Sequence, residues 1–257
     1  GSDGAAAVYY GDGSNLSGVT TSGGSPTAWI PDADENLVAG TLAGEDLDGT
    51  SGCFNVLIGQ CAGKEMTSGS TNIAIGKLAL GNGVVTGVLN SVVGRCAGYS
   101  LTSGCYNSIF GEGAGQKVTE GMSNTLIGPY AGWNISTGDR NIYIGRETGG
   151  CGSDFATGGD NIAMGYRAAQ GLTSGSKNIF LGECAGKEVS TGNGNVAIGC
   201  DALSSSALTG DFNVAIGREA GYALCCGDKN VLIGQCAGRA LYNTDGNVLI
   251  GDRAGLV

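Results

Sequence analysis

The chain has 257 residues, including 51 glycines, three prolines and no histidine. Its 13 basic and 23 acidic residues give a net charge of −10, which excludes the basic surface that a nucleic-acid partner requires. The lack of histidine excludes Ser-His-Asp and Cys-His catalysis and imidazole metal sites, and no apolar run reaches the roughly 18 residues of a membrane-spanning helix. Composition therefore predicts a protein that is not an enzyme, needs no cofactor or metal, binds no nucleic acid and does not insert into a membrane.

Residues 1–35 are the first predicted segment, because they lack the repeat that fills the rest of the chain. They contain Gly- and Ser-rich turns together with Trp29, Pro26 and Pro31. Repeat proteins have atypical end segments that cap the core or join it to another element. We predict that residues 1–35 are an N-terminal cap or connector and that residues 36–257 are the repeat domain.

From residue 36 onward the pattern N-x-x-x-G recurs thirteen times, mostly at intervals of 17 or 18 residues. A short fixed period is the sequence signature of a solenoid. We therefore predict an all-β, parallel β-solenoid of about 13 coils of about 17 residues. The repeating asparagines are Asn36, Asn55, Asn72, Asn90, Asn107, Asn124, Asn141, Asn161, Asn178, Asn195, Asn213, Asn230 and Asn247.

Each coil is numbered here from its asparagine as position 1. Positions 2 to 4 form a short, mostly β-branched run, such as Val56-Leu57-Ile58, which predicts a strand. The invariant glycine at position 5 indicates a bend with positive φ or a close approach to the next coil. Alanine at position 8 and an aliphatic residue at position 12 predict a narrow core.

The asparagines from Asn55 to Asn247 are predicted to be structural. An asparagine just before a strand can stack on its equivalent one coil away and hydrogen-bond along the axis, as in the polar ladders of stacked strands. Asparagine also tolerates left-handed turn geometry. Thirteen identical asparagines do not indicate an active site, so we predict a ladder.

Position 3 is apolar in every coil and predicts self-association. A strand residue at position 3 faces away from positions 2 and 4, so a solenoid that buries positions 2 and 4 exposes an apolar stripe. We predict a parallel homotrimer around this stripe, with a dimer as second choice and a lone solenoid as the remaining alternative. The predicted interface comprises Leu57, Val92, Ile109, Leu126, Tyr143, Phe180, Leu232 and Leu249.

Ten cysteines allow two interpretations. Pairs close in sequence are candidate disulfides, although connectivity does not follow from sequence. A fully reduced state is the alternative. The candidate pairs are Cys53 with Cys61, Cys96 with Cys105, and Cys225 or Cys226 with Cys236.

Several aromatic residues are predicted to lie on the outer side of the turns, where they are candidates for stacking on sugars. The alternative is that they pack over neighbouring turns. A longer spacing between Asn141 and Asn161 predicts a protruding loop that could carry specificity. The candidate ligand contacts are Tyr99, Tyr130, Trp133, Tyr222 and, in the longer segment, Phe155.

The motif N-V-A-I-G-x-x-A-G at 213–221 resembles the S-V-A-I-G-x-x-A repeats in the heads of trimeric autotransporter adhesins. It is also similar to N-T-x-I-G-x-x-A-G arrays in bacteriophage tail fibres, and residues 9–19 resemble a motif that accompanies such arrays. The adhesin repeat is shorter than 17 residues, which favours the phage-like comparison. The resemblance implies a left-handed, trimeric β-roll.

The leading functional prediction is a structural or adhesive fibre segment of a phage tail or bacterial surface appendage. Such a segment is located in a virion tail fibre or at the cell surface. Its expected partners are its own copies, other fibre or baseplate proteins, and a host-surface glycan or receptor. Ice binding is the alternative, although Thr67 and Thr102 fall at position 13 and Thr137 and Thr191 at position 14, which breaks a regular threonine lattice. A glycan-cleaving enzyme would need a carboxylate column that the repeat lacks.

Overall fold

A computed structural model describes residues 32–47, 51–152, 155–204 and 208–255. Most of the predicted N-terminal cap, residues 1–31, lies outside the described residues. Thirteen three-residue strands form one parallel sheet in chain order, and the described residues contain no helix. The prediction of an all-β parallel solenoid is therefore confirmed. The strands are β1 (Leu37–Ala39), β2 (Val56–Ile58), β3 (Ile73–Ile75), β4 (Ser91–Val93), β5 (Ser108–Phe110), β6 (Thr125–Ile127), β7 (Ile142–Ile144), β8 (Ile162–Met164), β9 (Ile179–Leu181), β10 (Val196–Ile198), β11 (Val214–Ile216), β12 (Val231–Ile233) and β13 (Val248–Ile250).

Every strand pairs with the next in the register that the repeat predicts. Position 2 of one coil is opposite position 2 of the following coil, as in Ser108 opposite Thr125. The 20-residue interval between Asn141 and Asn161 leaves this register unchanged, because Ile142 still pairs with Ile162. Extra residues are therefore absorbed in the turns, and the sheet stays regular.

The glycine at position 5 has the backbone conformation that its invariance predicts. At Gly111 φ is +139°, a region that side chains disfavour, and an added Cβ would lie 2.5 Å from the carbonyl oxygen of Gly128 in the next coil. Both predictions for this glycine, a positive φ and a close approach to the next coil, are confirmed. Successive coils therefore stack backbone against backbone at this corner.

The core corrects the prediction for position 3. Its side chains lie inside the solenoid of a single chain, where they pack with alanine at position 8 and the aliphatic residue at position 12. The reason is geometric: positions 1 and 3 share one face of the strand, and the asparagines at position 1 are buried in every coil except the last, at Asn247. The residues predicted as an oligomer interface are therefore core residues: Leu57, Val92, Ile109, Leu126, Tyr143, Phe180 and Leu232 are fully buried, and Leu249 is partly buried against the core.

Positions 2 and 4 consequently point outward. The two columns that they form on β1 to β13 are called the outer sheet face. No residue in it is charged, and all are apolar except Ser91, Ser108 and Thr125. The side chains are half-buried to exposed, for example 39% exposed at Ile127 and 42% at Met164.

Candidate functional site

A ladder of asparagine side chains runs through the core. The backbone N–H of Asn107 donates to Oδ1 of Asn90 at 3.0 Å, and its Nδ2 donates to the same oxygen at 3.0 Å and to the carbonyl of Gly121 at 2.9 Å. The backbone contact recurs at every step from Asn36 to Asn247. Among the described residues no buried side-chain nitrogen or oxygen lacks a partner. The asparagines therefore hold consecutive coils together, as the sequence predicts.

Within residues 32–255 Asp32 is the first member of the ladder, a role that was not predicted from the sequence. Its Oδ1 accepts the backbone N–H of Asn36 at 2.8 Å, and its Oδ2 accepts Nδ2 of Asn36 at 3.3 Å. These are the two donors that a preceding asparagine would satisfy. The only sequence signal was an aspartate four residues before the first asparagine. Asp32 therefore caps the first coil.

Among the described residues Tyr143 is the bulkiest fully buried side chain, and its hydroxyl donates to Oδ1 of Asn141 at 3.2 Å. Burial raises the pKa of Tyr143 well above its usual value of 10.0. Burial likewise raises the pKa of the Cys151 thiol to about 11. Both groups are therefore neutral in the folded protein, including at alkaline pH where the unfolded chain ionises.

We expect this burial to make the protein less stable as pH rises above about 10. The unfolded chain loses the Tyr143 proton near its usual pKa while the native state keeps it. Ionisation therefore stabilises the unfolded state, and the free energy of unfolding falls. The variant Tyr143→Phe should lose less stability between pH 9 and 11 than the wild type, as measured by urea midpoints. Cys151 contributes its own alkaline loss in both proteins, so only the difference between them reports on Tyr143. Equal losses would contradict the assignment.

The outer sheet face is an uncharged surface that runs along all thirteen strands. Charged residues occur at the two borders of this face. One border is position 6, with Arg146 and Arg218, and the other is the residue before position 1, where Arg140 and Asp160 form an ion pair at 2.6 Å. A second group, Glu147 with Arg167, pairs at 2.8 Å at the corner after position 6. The border before position 1 also carries the exposed apolar side chains Phe54, Leu89, Tyr106 and Phe212. An extended apolar surface with polar residues at its edge is typical of a site of protein association.

The predicted ligand-contacting aromatics do not converge on one cleft. Tyr99 and Trp133 share position 10 two coils apart, with Gln116 between them hydrogen-bonded to the Trp133 indole. Tyr130 lies one corner away, with its hydroxyl 3.4 Å from Glu112. The guanidinium of Arg239 lies over the Tyr222 ring, several coils further on.

Phe155 lies in the longer segment and is 61% exposed. It is separate from the other aromatics by position in the coil. Packing over neighbouring turns thus accounts for Trp133 and Tyr222, whereas Phe155 remains an exposed candidate contact.

The ten cysteines form no disulfide bond, which corrects the candidate disulfides and agrees with the reduced alternative. The thiol of Cys105 donates to the carbonyl of Ser103 at 3.3 Å, and that of Cys236 lies 3.8 Å from a Glu219 oxygen. The cysteines at position 7 lie at the corner that follows the strand of each coil. Their candidate partners occupy other positions of the coil, and no disulfide joins them. The two adjacent thiols are those of Cys225 and Cys226, at 3.0 Å. The correction applies to all the candidate residues: Cys53, Cys61, Cys96, Cys105, Cys225, Cys226 and Cys236.

The chain was compared with protein families, curated proteins and solved structures. No protein-family model, curated protein or solved structure matches the chain. Within the part that the structure describes, no group of three or more cysteine or acidic side chains is placed to hold a metal ion. The same residues include no helix long and apolar enough to cross a membrane.

Proposed function

We propose that the chain is a structural fibre segment that self-associates through the outer sheet face as a parallel homotrimer. The observation that supports this is the uncharged, nearly continuous apolar surface along thirteen parallel strands. The chain has a net charge of −10, yet none of its charged residues lies on this face. The ladder-stabilised solenoid supplies the stiffness that a fibre needs.

The dimensions of the face fit a protein interface. Twelve steps between strands at about 4.8 Å give a length of about 58 Å, and two side-chain columns give a width of about 10 Å. Two such faces in contact would bury about 1,200 Å², which reaches the lower end of stable protein interfaces. One face left in water would equal the largest apolar patches of ordinary monomers, about 600 Å².

A second copy of the chain is the partner that fits best. Side chains on the face recur at the strand spacing, and a partner with the same spacing keeps its own side chains between them along the whole length. Parallel copies meet this condition in every coil. A trimer places three faces around a central axis, and the resemblance to trimeric fibre proteins supports it over a dimer.

In this proposal the fibre belongs to a virion tail or a cell surface, joins other fibre or baseplate proteins, and has no enzymatic role. The remaining sides of the rod are then free for a host-surface glycan. Phe155 is the first residue to test, because it is the exposed aromatic on the longer segment. Loss of glycan or cell binding in Phe155→Ala, with the same solution mass as wild type, would support this role.

Light scattering of the wild type and of Ile127→Lys tests the proposed association. Ile127 is central on the face and 39% exposed, so a lysine there fits the single chain but places three charges in the trimer interface. We expect the wild type to have three times the 25.4 kDa mass of one chain and the variant to be a monomer with the same circular dichroism.

The matched control is Ser174→Lys, which introduces the same charge at an exposed position on another side of the coil. This variant should keep the wild-type mass. A wild type that is already monomeric would refute self-association, and a mass of two chains would replace the trimer by a dimer.

Ice binding is the second candidate, because one corner carries a hydroxyl in each of nine consecutive coils. Some of these hydroxyls are occupied: Thr102, Thr119 and Thr173 donate to carbonyl oxygens of the next coil at 3.1–3.2 Å. That leaves fewer of them to order water in a flat array. Thermal hysteresis in a cooled solution would favour ice binding over the fibre. The column is Thr67, Thr86, Thr102, Thr119, Ser136, Thr157, Thr173, Ser190 and Thr209.

A further inference from the structure

Two Asn-Gly pairs occur in the chain, Asn82-Gly83 and Asn193-Gly194. In such a pair the glycine nitrogen can attack the asparagine side-chain amide, because glycine has no Cβ to obstruct the approach. The reaction needs a free asparagine side chain and a glycine N–H that can give up its proton. Surroundings therefore decide which pair reacts.

Asn193 is held in place by the solenoid. Its Nδ2 donates to the carbonyl of Thr191 at 3.1 Å and to Oδ1 of Asp211 at 3.2 Å, and its Oδ1 accepts the backbone N–H of Ser176 at 2.9 Å. The N–H of Gly194 donates to the carbonyl of Ser176 at 3.0 Å. Several hydrogen bonds must break before this pair can react.

The side chain of Asn82 has none of the hydrogen bonds that hold the side chain of Asn193. The Asn82 side chain is exposed and makes no hydrogen bond to any described residue, while its backbone N–H donates to the carbonyl of Tyr99. The N–H of Gly83 donates to Oε2 of Glu65 at 3.1 Å. A carboxylate therefore lies next to the proton that must leave.

We propose that Asn82 is a site of spontaneous deamidation and that Glu65 accepts the proton of the Gly83 amide. The Gly83 nitrogen loses its proton to Glu65 and forms a bond to Cγ of Asn82. The bond from Cγ to Nδ2 then breaks, and the leaving nitrogen takes one proton, which restores the Glu65 carboxylate and releases ammonia. Water then opens the succinimide at either carbonyl, which yields aspartate or isoaspartate. Water is the only co-reactant.

The modification adds a negative charge beside Glu65 in a chain that already carries −10. Isoaspartate also lengthens the backbone by one carbon at a point where Asn82 is bonded to the next coil. We therefore expect the modified coil to be less stable than the original. This inference is independent of the proposed fibre function.

The test is incubation of the folded protein in ¹⁸O-labelled water at neutral pH, followed by mass spectrometry of the two Asn-Gly peptides. We expect labelled aspartate and isoaspartate at Asn82 at a rate at least about tenfold above that at Asn193, given the hydrogen bonds that Asn193 must break. In denaturant the two rates should become equal. Equal rates in the folded protein, or a faster reaction at Asn193, would overturn the proposal.

The variant Glu65→Gln tests the proton acceptor. We expect it to slow the reaction at Asn82 by at least about tenfold. This is a smaller factor than the 10²-fold or more that a positioned general base contributes in enzymes. The rate at Asn193 serves as the control within the same molecule and should not change. An unchanged rate at Asn82 would remove Glu65 from the mechanism.

Discussion

Replacing Gly111 with alanine is expected to unfold the central coils, with a loss of about 4 kcal/mol or more. Alanine at φ of +139° is strained, and its Cβ would lie 2.5 Å from the oxygen and 2.6 Å from the carbon of the Gly128 carbonyl. That neighbour is backbone in the next coil, so no side-chain rotation relieves the clash. Urea unfolding followed by circular dichroism measures the loss.

Gly251 provides the matched control. It is also at position 5 and has φ of +128°, but a Cβ there meets nothing within 4 Å among the described residues. The variant Gly251→Ala carries the conformational strain alone, which costs on the order of 1–3 kcal/mol. A loss at Gly111 no greater than at Gly251 would show that close approach of the coils is not the reason for this glycine.

Replacing Asn124 with alanine is expected to lower the free energy of unfolding by about 3–5 kcal/mol. The substitution leaves the buried N–H of Asn141 and the carbonyl of Gly138 without partners, both of which Asn124 now bonds at 2.9 Å. Each buried group left unpaired costs about 1–3 kcal/mol, and the cavity adds to that. The measurement is the urea midpoint.

Asn247 is the corresponding control at the last described step of the ladder. It is only part-buried, and its Nδ2 donates to Oδ1 of Asn230 at 2.8 Å. Its Oδ1 accepts no hydrogen bond from a described residue, so Asn247→Ala should cost about 1 kcal/mol. Similar losses at Asn124 and Asn247 would mean that burial of the ladder contributes little.

The repeat made most of the fold predictable. A mostly apolar run at positions 2 to 4, with invariant asparagine at position 1 and glycine at position 5, indicated the strand, the ladder and the bend in all thirteen coils. These predictions rest on local geometry that is the same in every coil. The solenoid follows because each coil must pair with the next one.

The orientation of the strand was wrong, for a physical reason. A three-residue strand that is apolar throughout, such as Val56-Leu57-Ile58, gives no alternation to distinguish inside from outside. The decisive clue was Asn55, since a ladder residue buried two positions before Leu57 must share its face. The apolar stripe that the sequence analysis placed outside at position 3 is core, and the outward apolar columns are positions 2 and 4; association through them stays a prediction.

Features that occur once were harder to predict. Asp32 as the cap and Glu65 beside Gly83 depend on contacts between residues that no repeat column relates. The candidate disulfides failed because closeness in sequence is not closeness in a solenoid, where neighbours in space are about 17 residues apart. Partners and location remain proposals that the solution mass and binding experiments test.

The asparagine ladder also has a direction. In every step the acceptor belongs to the earlier coil and the backbone donor to the later one, beginning with Asp32 and Asn36. A coil that has just left the ribosome therefore finds its acceptor already in place on the coil made before it. Contacts span about one coil of sequence, so closing each one costs little chain entropy. Synthesis and folding can thus advance together, coil by coil, from the amino terminus.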